Sequence, residues 1–382
     1  MRHKNSVFHS LLKHVPWGRL EQVVEKHGAD DRTRKLTTKR HLVALLYGQF
    51  SGATSLREIV TGMESHETRL YHLGAAPAKR STISDANRDR SYQVFSELCE
   101  LMIEQAHRGL RRASRDAVRL IDSTSIRLSN LSADWAQFSA GVCGVKAHII
   151  YDPHADRPAY FAVTPSNVND ITVAKTMPIE AGSTYVFDLG FYDYGWWAEI
   201  DEVGSRFVTR LKKNTPLTIV CENKVPKQGN VLSDRIGFLP ARLAASRHNP
   251  LQVAVREIRV LIDTGKVLRV ATNDLDAPAQ EIADLYKQRW EIELFFRWVK
   301  QTLRIKRFIG VCENAVRIQI AVALIAFLLL RMAAQRIVHS PLEFARLVRA
   351  NLMHRRPIDR LLGPLSPTSE NPNQLKLGLY FQ

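Results

Sequence analysis

The stretch "YKQRWEIELFFRWVK", Tyr286 to Lys300, sets the acid Glu293 among Tyr286, Arg289, Arg297 and Lys300. Helical spacing of about 100° per residue, counted from Tyr286, puts Arg289 near ~300°, Lys300 near ~320°, Glu293 near ~340° and Arg297 near ~20°. Leu294, Phe295, Val299, Ile292 and Phe296 occupy the other side. The stretch predicts a helix with a broad apolar face and a narrow polar stripe whose only acid is Glu293. A plain surface helix would pair Glu293 with Arg289 and Arg297 for a few tenths of a kcal/mol. A helix this apolar must pack on something, however, and its stripe then falls at the edge of a crevice. Trp298 and Trp290 are expected in the core, with Trp290 at the crevice border.

Two further acids stand where strands usually avoid them. Asp122 follows an apolar run in "RLIDSTSI" and Asp188 follows another in "YVFDLGF". Taken singly, each reads as a turn or cap residue. An unpaired carboxylate beside a core is costly, so each needs a cation or hydrogen-bond donors. Joined to Glu293, they make a three-acid set suited to magnesium, which favours a few carboxylates and keeps positions open for substrate oxygens. Two such ions about 4 Å apart activate an attacking oxygen and stabilise a leaving oxygen at a phosphodiester. Lys146 and His148 in "GVKAHII" could face such a site, although a strand histidine satisfied by its neighbours is the plainer reading. Asn169 and Asp170 in "SNVND" could stand behind the site's carboxylates, although a helix cap is the plainer reading.

The composition suits an anionic partner. The chain has 382 residues and a net charge of +16, with 45% apolar and 24% charged residues. That allows a sizeable core and two or three domains. The charge is uneven: residues 1–116 carry 20 basic and 13 acidic side chains, and residues 301–382 carry 12 and 4. The middle is nearly neutral. Basic flanks point to nucleic acid before a membrane surface. The cysteines, Cys99, Cys143, Cys221 and Cys312, form no C-x-x-C pair, so no zinc site is expected and a reducing cytosol suits them. The start shows no secretory signal. "IAVALIAFLLL", Ile320 to Leu330, is too short to span a bilayer and reads as a core helix. The terminal "LYFQ" reads as a tag remnant and not as part of the fold.

Along the chain the period changes twice. Residues 1–116 read as helices, with a Thr of "LTTKRHLVALLYGQF" and Ser55 as caps and one long helix across "STISDANRDRSYQVFSELCELMIEQAH". Lys39, Arg40, Lys79, Arg80, Arg88 and Arg90 lie near helix starts and could meet DNA. From 117 a three-strand meander is followed by alternating helix and strand, which predicts a mixed α/β sheet. Residues 215–275 are strand-rich. Helices resume at 276 and run to about 362, before a Pro-, Ser- and Asn-rich tail. The expected division is a helical DNA-binding domain over 1–116, a catalytic core over 117–214 and 276–340, a β-rich insertion over 215–275, and a helical C-terminal region over 341–382.

These residues resemble a known family. "DST" at 122–124, "DLGF" at 188–191, and Tyr286, Arg289, Glu293 and Lys300 in the spacing Y-x2-R-x3-E-x6-K look like the DDE transposases of bacterial insertion sequences, in the YREK or insertion-sequence-four subgroup. The likeness covers about 117–340, and the start resembles a helical domain often fused ahead of this core. It implies a ribonuclease-H-like fold with a β insertion between the second Asp and the Glu. It also implies cut-and-paste transposition with Mg²⁺, for which Mn²⁺ can substitute. Asp122, Asp188 and Glu293 would be the catalytic metal ligands; Tyr286, Arg289 and Lys300, with Arg297 beside them, would contact DNA. The partners would be the element's terminal inverted repeats and target DNA. The protein would act as a homodimer in the synaptic complex, at the nucleoid in the cytoplasm and not at a membrane. Some relatives form a DNA hairpin clamped by an insertion-domain tryptophan, but residues 215–280 hold no Trp or Tyr, and Phe238 is their only aromatic residue. A nuclease or resolvase on the same fold, and a non-catalytic DNA-binding regulator derived from a transposase, are the competing readings.

Overall fold

The computed structural model describes residues 6–31, 33–108, 117–139, 141–226, 229–243, 247–302, 308–334 and 341–361. The Pro-rich tail and "LYFQ" lie outside them.

Strand β1, Val118–Leu128, begins with four buried residues, and its period of two feeds both sides of the sheet. Val118 and Leu120 join one core cluster and Ile121 joins the other. Antiparallel to β1 runs β3, Val142–Asp152, which follows the short edge strand β2, Gln137–Ser139. The strand β4, Arg157–Pro165, pairs with β3 and completes the expected meander. On the other side of β1 lie β5, Thr184–Val186, and β6, Arg206–Arg210, both parallel to it. The last parallel partners are Leu120 and Val186, so Asp122 and Asp188 each follow two residues later. Beyond Asp122, β1 runs on to Leu128, and it is the parallel pairing that stops.

The strands expected as an insertion continue the same sheet. They are β7, Thr218–Asn223, β8, Val231–Phe238, β11, Val255–Leu261, and β12, Val267–Thr272. A two-stranded ribbon, β9 (Arg242–Leu243) with β10 (Arg247–His248), lies apart. The sheet order is β2-β3-β1-β5-β6-β12-β11-β8-β7, because β12 pairs antiparallel with β6. Sequence pattern does not reveal β8, because Asp234 interrupts its apolar run. That carboxylate is buried and accepts bidentate hydrogen bonds from Arg256 Nε and Nη2, each at 2.8 Å.

Helices cover both faces. The Ile121 face holds α9, Asp170–Ala174, and α10, Tyr194–Glu202, around Phe187, Trp196 and Trp197. The Leu120 face holds α11, Ala279–Gln288, α12, Trp290–Thr302, and α13, Glu313–Ala334. It also merges with the N-terminal helices α1, Val7–Leu12, α2, Trp17–Lys26, α3, Thr38–Ser51, α4, Leu56–Glu64, α5, Glu67–Leu70, α6, Arg80–Asp89, and α7, Tyr92–Arg108. The short α8, Ala133–Ala136, precedes β2. The C-terminal α14, Pro341–Asn351, packs into the same helical layer, where the Val7 N–H donates to the His354 carbonyl at 3.0 Å.

Three sequence expectations change here. The apolar segment at Ile320–Leu330 belongs to a 22-residue helix, long enough by length and composition to cross a membrane. The length expectation fails, but the helix is a core helix as expected, with 83% of its most apolar window buried. The long helix expected from Ser81 onward breaks at Arg90, whose backbone is extended. The Arg90 guanidinium is buried and donates to the Leu36 carbonyl, while Asn314 donates to the Asn87 and Arg90 carbonyls and accepts from the Tyr92 N–H. Those bonds replace the lost helical ladder. Finally, Tyr286–Lys300 is two helices meeting at Arg289, not one.

Thr37 and Ser55 cap α3 and α4 as expected, accepting from the Arg40 and Glu58 N–H groups. Of the N-terminal cations, Arg90 is structural, Arg88 pairs with Asp85 and Asp89, and Lys39 lies over the Trp17 ring. Arg40, Lys79 and Arg80 are exposed.

Candidate active site

The pleat of β1 decides where Asp122 points. Side chains two apart share a face, so Asp122 follows Val118 and Leu120 toward the side on which α12 packs. Val186 enters the same cluster as Leu120, and Asp188 stands two residues beyond it. On α12, Ile292, Phe295, Phe296 and Val299 anchor the helix in that core and leave Glu293 half-buried near β1.

Arg289 links the acids. Its Nη2 donates to Glu293 Oε1 at 2.6 Å and its Nη1 lies 3.5 Å from Asp122 Oδ2. Glu293 therefore takes the cation four residues before it, at the helix junction, and not Arg297, which is exposed. Asp122 Oδ1 accepts from the Ser123 N–H, and Asp188 Oδ1 accepts from the Gly190 N–H, each at 2.8 Å. Burial pushes the Asp122 carboxyl up to about 6; Asp188 and Glu293 add to the rise, while the Ser123 N–H and Arg289 oppose it. Burial also raises the Tyr286 phenol. For Arg289, burial works against the charge, but Tyr286, Glu293 and Asp122 outweigh it and raise its pKa.

Asp122 thus feels both other acids, but the three are not a finished cage. Among the described residues, no three His, Cys, Asp or Glu side chains are gathered to hold an ion as they stand. The guanidinium occupies the interval between Asp122 and Glu293 where the trio was expected to converge. The donor chemistry still suits a hard divalent cation: carboxylate oxygens only, with mutual repulsion that a cation would relieve.

Beside this group a cleft of about 450 Å³ is lined by Tyr286, Arg289, Trp290, Arg210, Val260 and Leu268. Trp290 is 51% exposed, so it is not a core residue, but it borders the cleft as its helical angle suggested. Trp298 is partly buried, edge-on to Phe327 with centroids 5.0 Å apart. Lys300 is half-buried on α12, about two turns beyond Glu293.

Residues 113–329 match the family described as Transposase DDE domain. The chain belongs to the DDE transposases. Residues 3–76 of this transposase match a domain of unknown function, DUF4372. A Sinorhizobium fredii protein named as transposase y4zB is 40% identical over 301 residues, 78% of this chain and 84% of its own length. A Geobacillus stearothermophilus protein named as the transposase of insertion sequence element IS5377 is 30% identical, over 73% of this chain and 74% of that protein. The piggyBac transposase synaptic complex with hairpin DNA matches at a TM-score of 0.44 and 9% identity, covering 96% of this chain and 84% of that one.

Sequence reasoning missed Arg210 in the cleft of this transposase, because nothing in "RFVTRLKK" marks it. It also undervalued Asp170. That side chain does not cap α9; Asp170 Oδ1 accepts from Ser123 Oγ at 2.8 Å and from Lys146 Nζ at 3.1 Å. His148 is fully buried, with Nε2 2.8 Å from Thr164 Oγ1, and burial lowers its pKa to about 4. It is therefore neutral, and its approach to Asp170 is not an ion pair.

Proposed function

We propose that this enzyme is a cut-and-paste DNA transposase of the YREK, insertion-sequence-four subgroup on a ribonuclease-H-like core. The fold reading is supported by the strand order β4-β3-β1-β5-β6, an antiparallel meander followed by two parallel strands. The subgroup reading rests on the spacing of Tyr286, Arg289, Glu293 and Lys300. The observation that carries the site is Arg289 spanning Asp122 and Glu293, with Asp188 close enough to raise the Asp122 carboxyl.

In this reading Asp122, Asp188 and Glu293 hold divalent cations, Mg²⁺ with Mn²⁺ as a substitute. Such ions, when bound, lower the pKa of an attacking oxygen and stabilise the leaving one. Arg289 turns from the carboxylates to a DNA phosphate, where its planar fork grips two oxygens. Tyr286 and Lys300 fix the DNA end, and Arg297 adds an exposed charge to the backbone contact. Water attacks the phosphorus at the element boundary, a new P–O bond forms, and the 3′-oxygen leaves and takes a proton. The freed 3′-hydroxyl then attacks a target phosphodiester and displaces the target's own 3′-oxygen. The partners are the terminal inverted repeats and target DNA, with a homodimer in the synaptic complex, at the nucleoid in the cytoplasm.

The substitution Glu293→Gln tests this. It should leave binding to the element ends intact and abolish strand cleavage in Mg²⁺. Cleavage retained by that variant would remove Glu293 from the mechanism.

A further inference from the structure

We propose that Asp170 is a positioning residue, a fourth carboxylate that sets where Asp122 and Asp188 stand without itself meeting the substrate. This rests on the reading of Asp122 and Asp188 as cation ligands. The sheet register supplies the first argument. Ser123 pairs with His148 and Ser125 with Lys146, and the pleat turns Ser123, Lys146 and His148 to the face opposite Glu293. Ser123 therefore works in two directions. Its N–H donates to Asp122 Oδ1, and its hydroxyl donates to Asp170 Oδ1, both at 2.8 Å. One residue joins the two carboxylates through the thickness of the sheet.

The second argument comes from the Asp188 turn. Gly190 donates its N–H to Asp188 Oδ1, and a Cβ built on Gly190 would lie 3.1 Å from that oxygen and 3.5 Å from Asp170 Oδ2. The far oxygen of Asp170 thus abuts the turn that aims Asp188. The third argument is charge. Lys146 Nζ is held by the Val168 carbonyl at 3.0 Å and by Asp170 at 3.1 Å. It offsets a fourth negative charge that would otherwise repel the other acids. The wholly buried His148 sets its unpartnered Nδ1 3.6 Å from Asp170 Oδ1, closing that side to solvent. A mere helix-start acid explains none of these contacts, because α9 is only five residues long.

Groups that orient metal ligands typically change metal affinity about 10- to 100-fold when removed. The test uses the full chain, Asp170→Asn and Ser123→Ala, with Mn²⁺ as the probe. Bound Mn²⁺ is read by electron paramagnetic resonance, with and without an end duplex, alongside thermal unfolding and the Mg²⁺ dependence of cleavage. Asp170→Asn should weaken Mn²⁺ binding about ten-fold or more. It should raise the Mg²⁺ needed for half-maximal cleavage by the same factor, with excess metal restoring the rate. End binding without metal should not change. Ser123→Ala should move in the same direction by less, which keeps the proposal testable if Asp170→Asn folds poorly. Mn²⁺ affinity within about two-fold of the unsubstituted chain in both variants would overturn it. Absence of Mn²⁺ binding in the unsubstituted chain would instead overturn the ligand reading beneath it.

Discussion

Arg289 donates to Glu293 across the junction of α11 and α12, at 2.6 Å. The bond holds the acid and a cation in one place before any ligand arrives. The same guanidinium faces Asp122, so in the proposed site a divalent ion would compete with Arg289 for overlapping oxygens.

Arg289→Ala should therefore separate two effects. Mn²⁺ binding to the free protein should be retained or tightened, since a competing cation is gone. Cleavage of an end duplex should fall by about 10²-fold or more, the scale seen when one preorganised group is removed from a transition state. Single-turnover cleavage read beside a metal titration would check both. Weaker metal binding would refute the competition.

Strand transfer should distinguish this enzyme from a nuclease on the same fold. Pre-cut ends bearing free 3′-hydroxyls, incubated with a target plasmid and Mg²⁺, should appear covalently joined on a denaturing gel. Cleavage without joining would favour the nuclease.

Acid should loosen the helical layer through His41. This side chain is wholly buried, bonded through Nε2 to Asn87 Oδ1, and burial lowers its pKa to about 3, with Arg90 adding to the drop. A histidine held neutral in the fold but free to charge when unfolded favours folding above about pH 6.5. Its contribution is lost progressively as pH falls from there toward about 3, by up to about 1.4 kcal/mol per unit. Urea unfolding at stepped pH should show that slope, and His41→Gln should flatten it.

Asn314→Ala should destabilise the joint between α6 and α7. The substitution strands two carbonyls and one N–H that the amide now serves. Buried groups left unsatisfied cost about 1–3 kcal/mol each, so a loss of about 2 kcal/mol or more in chemical denaturation is expected. A change near zero would mean that water fills the gap freely.

Much of this protein was legible one residue at a time. Apolar period and cap residues located α3, α4, β1, β3, β4 and α10, because local propensity and burial agree there. The residue types and the Y-x2-R-x3-E-x6-K spacing named the candidate acids and the cations around them. Local signals failed where a distant partner supplied the missing term. Asp234 sits in a strand because Arg256 meets it, and a helix stops at Arg90 because Asn314, far along the chain, satisfies the break. The sequence by itself determined which side chains carry charge and which faces seek a core. Only the tertiary structure decided that β12 would extend the sheet from β6, that the α11–α12 junction would fall at Arg289, and that Asp170 would stand behind Asp122. The reason is physical: hydrophobic period encodes which way a side chain faces, whereas the partner of a buried polar group depends on closing long loops, and no local pattern records that.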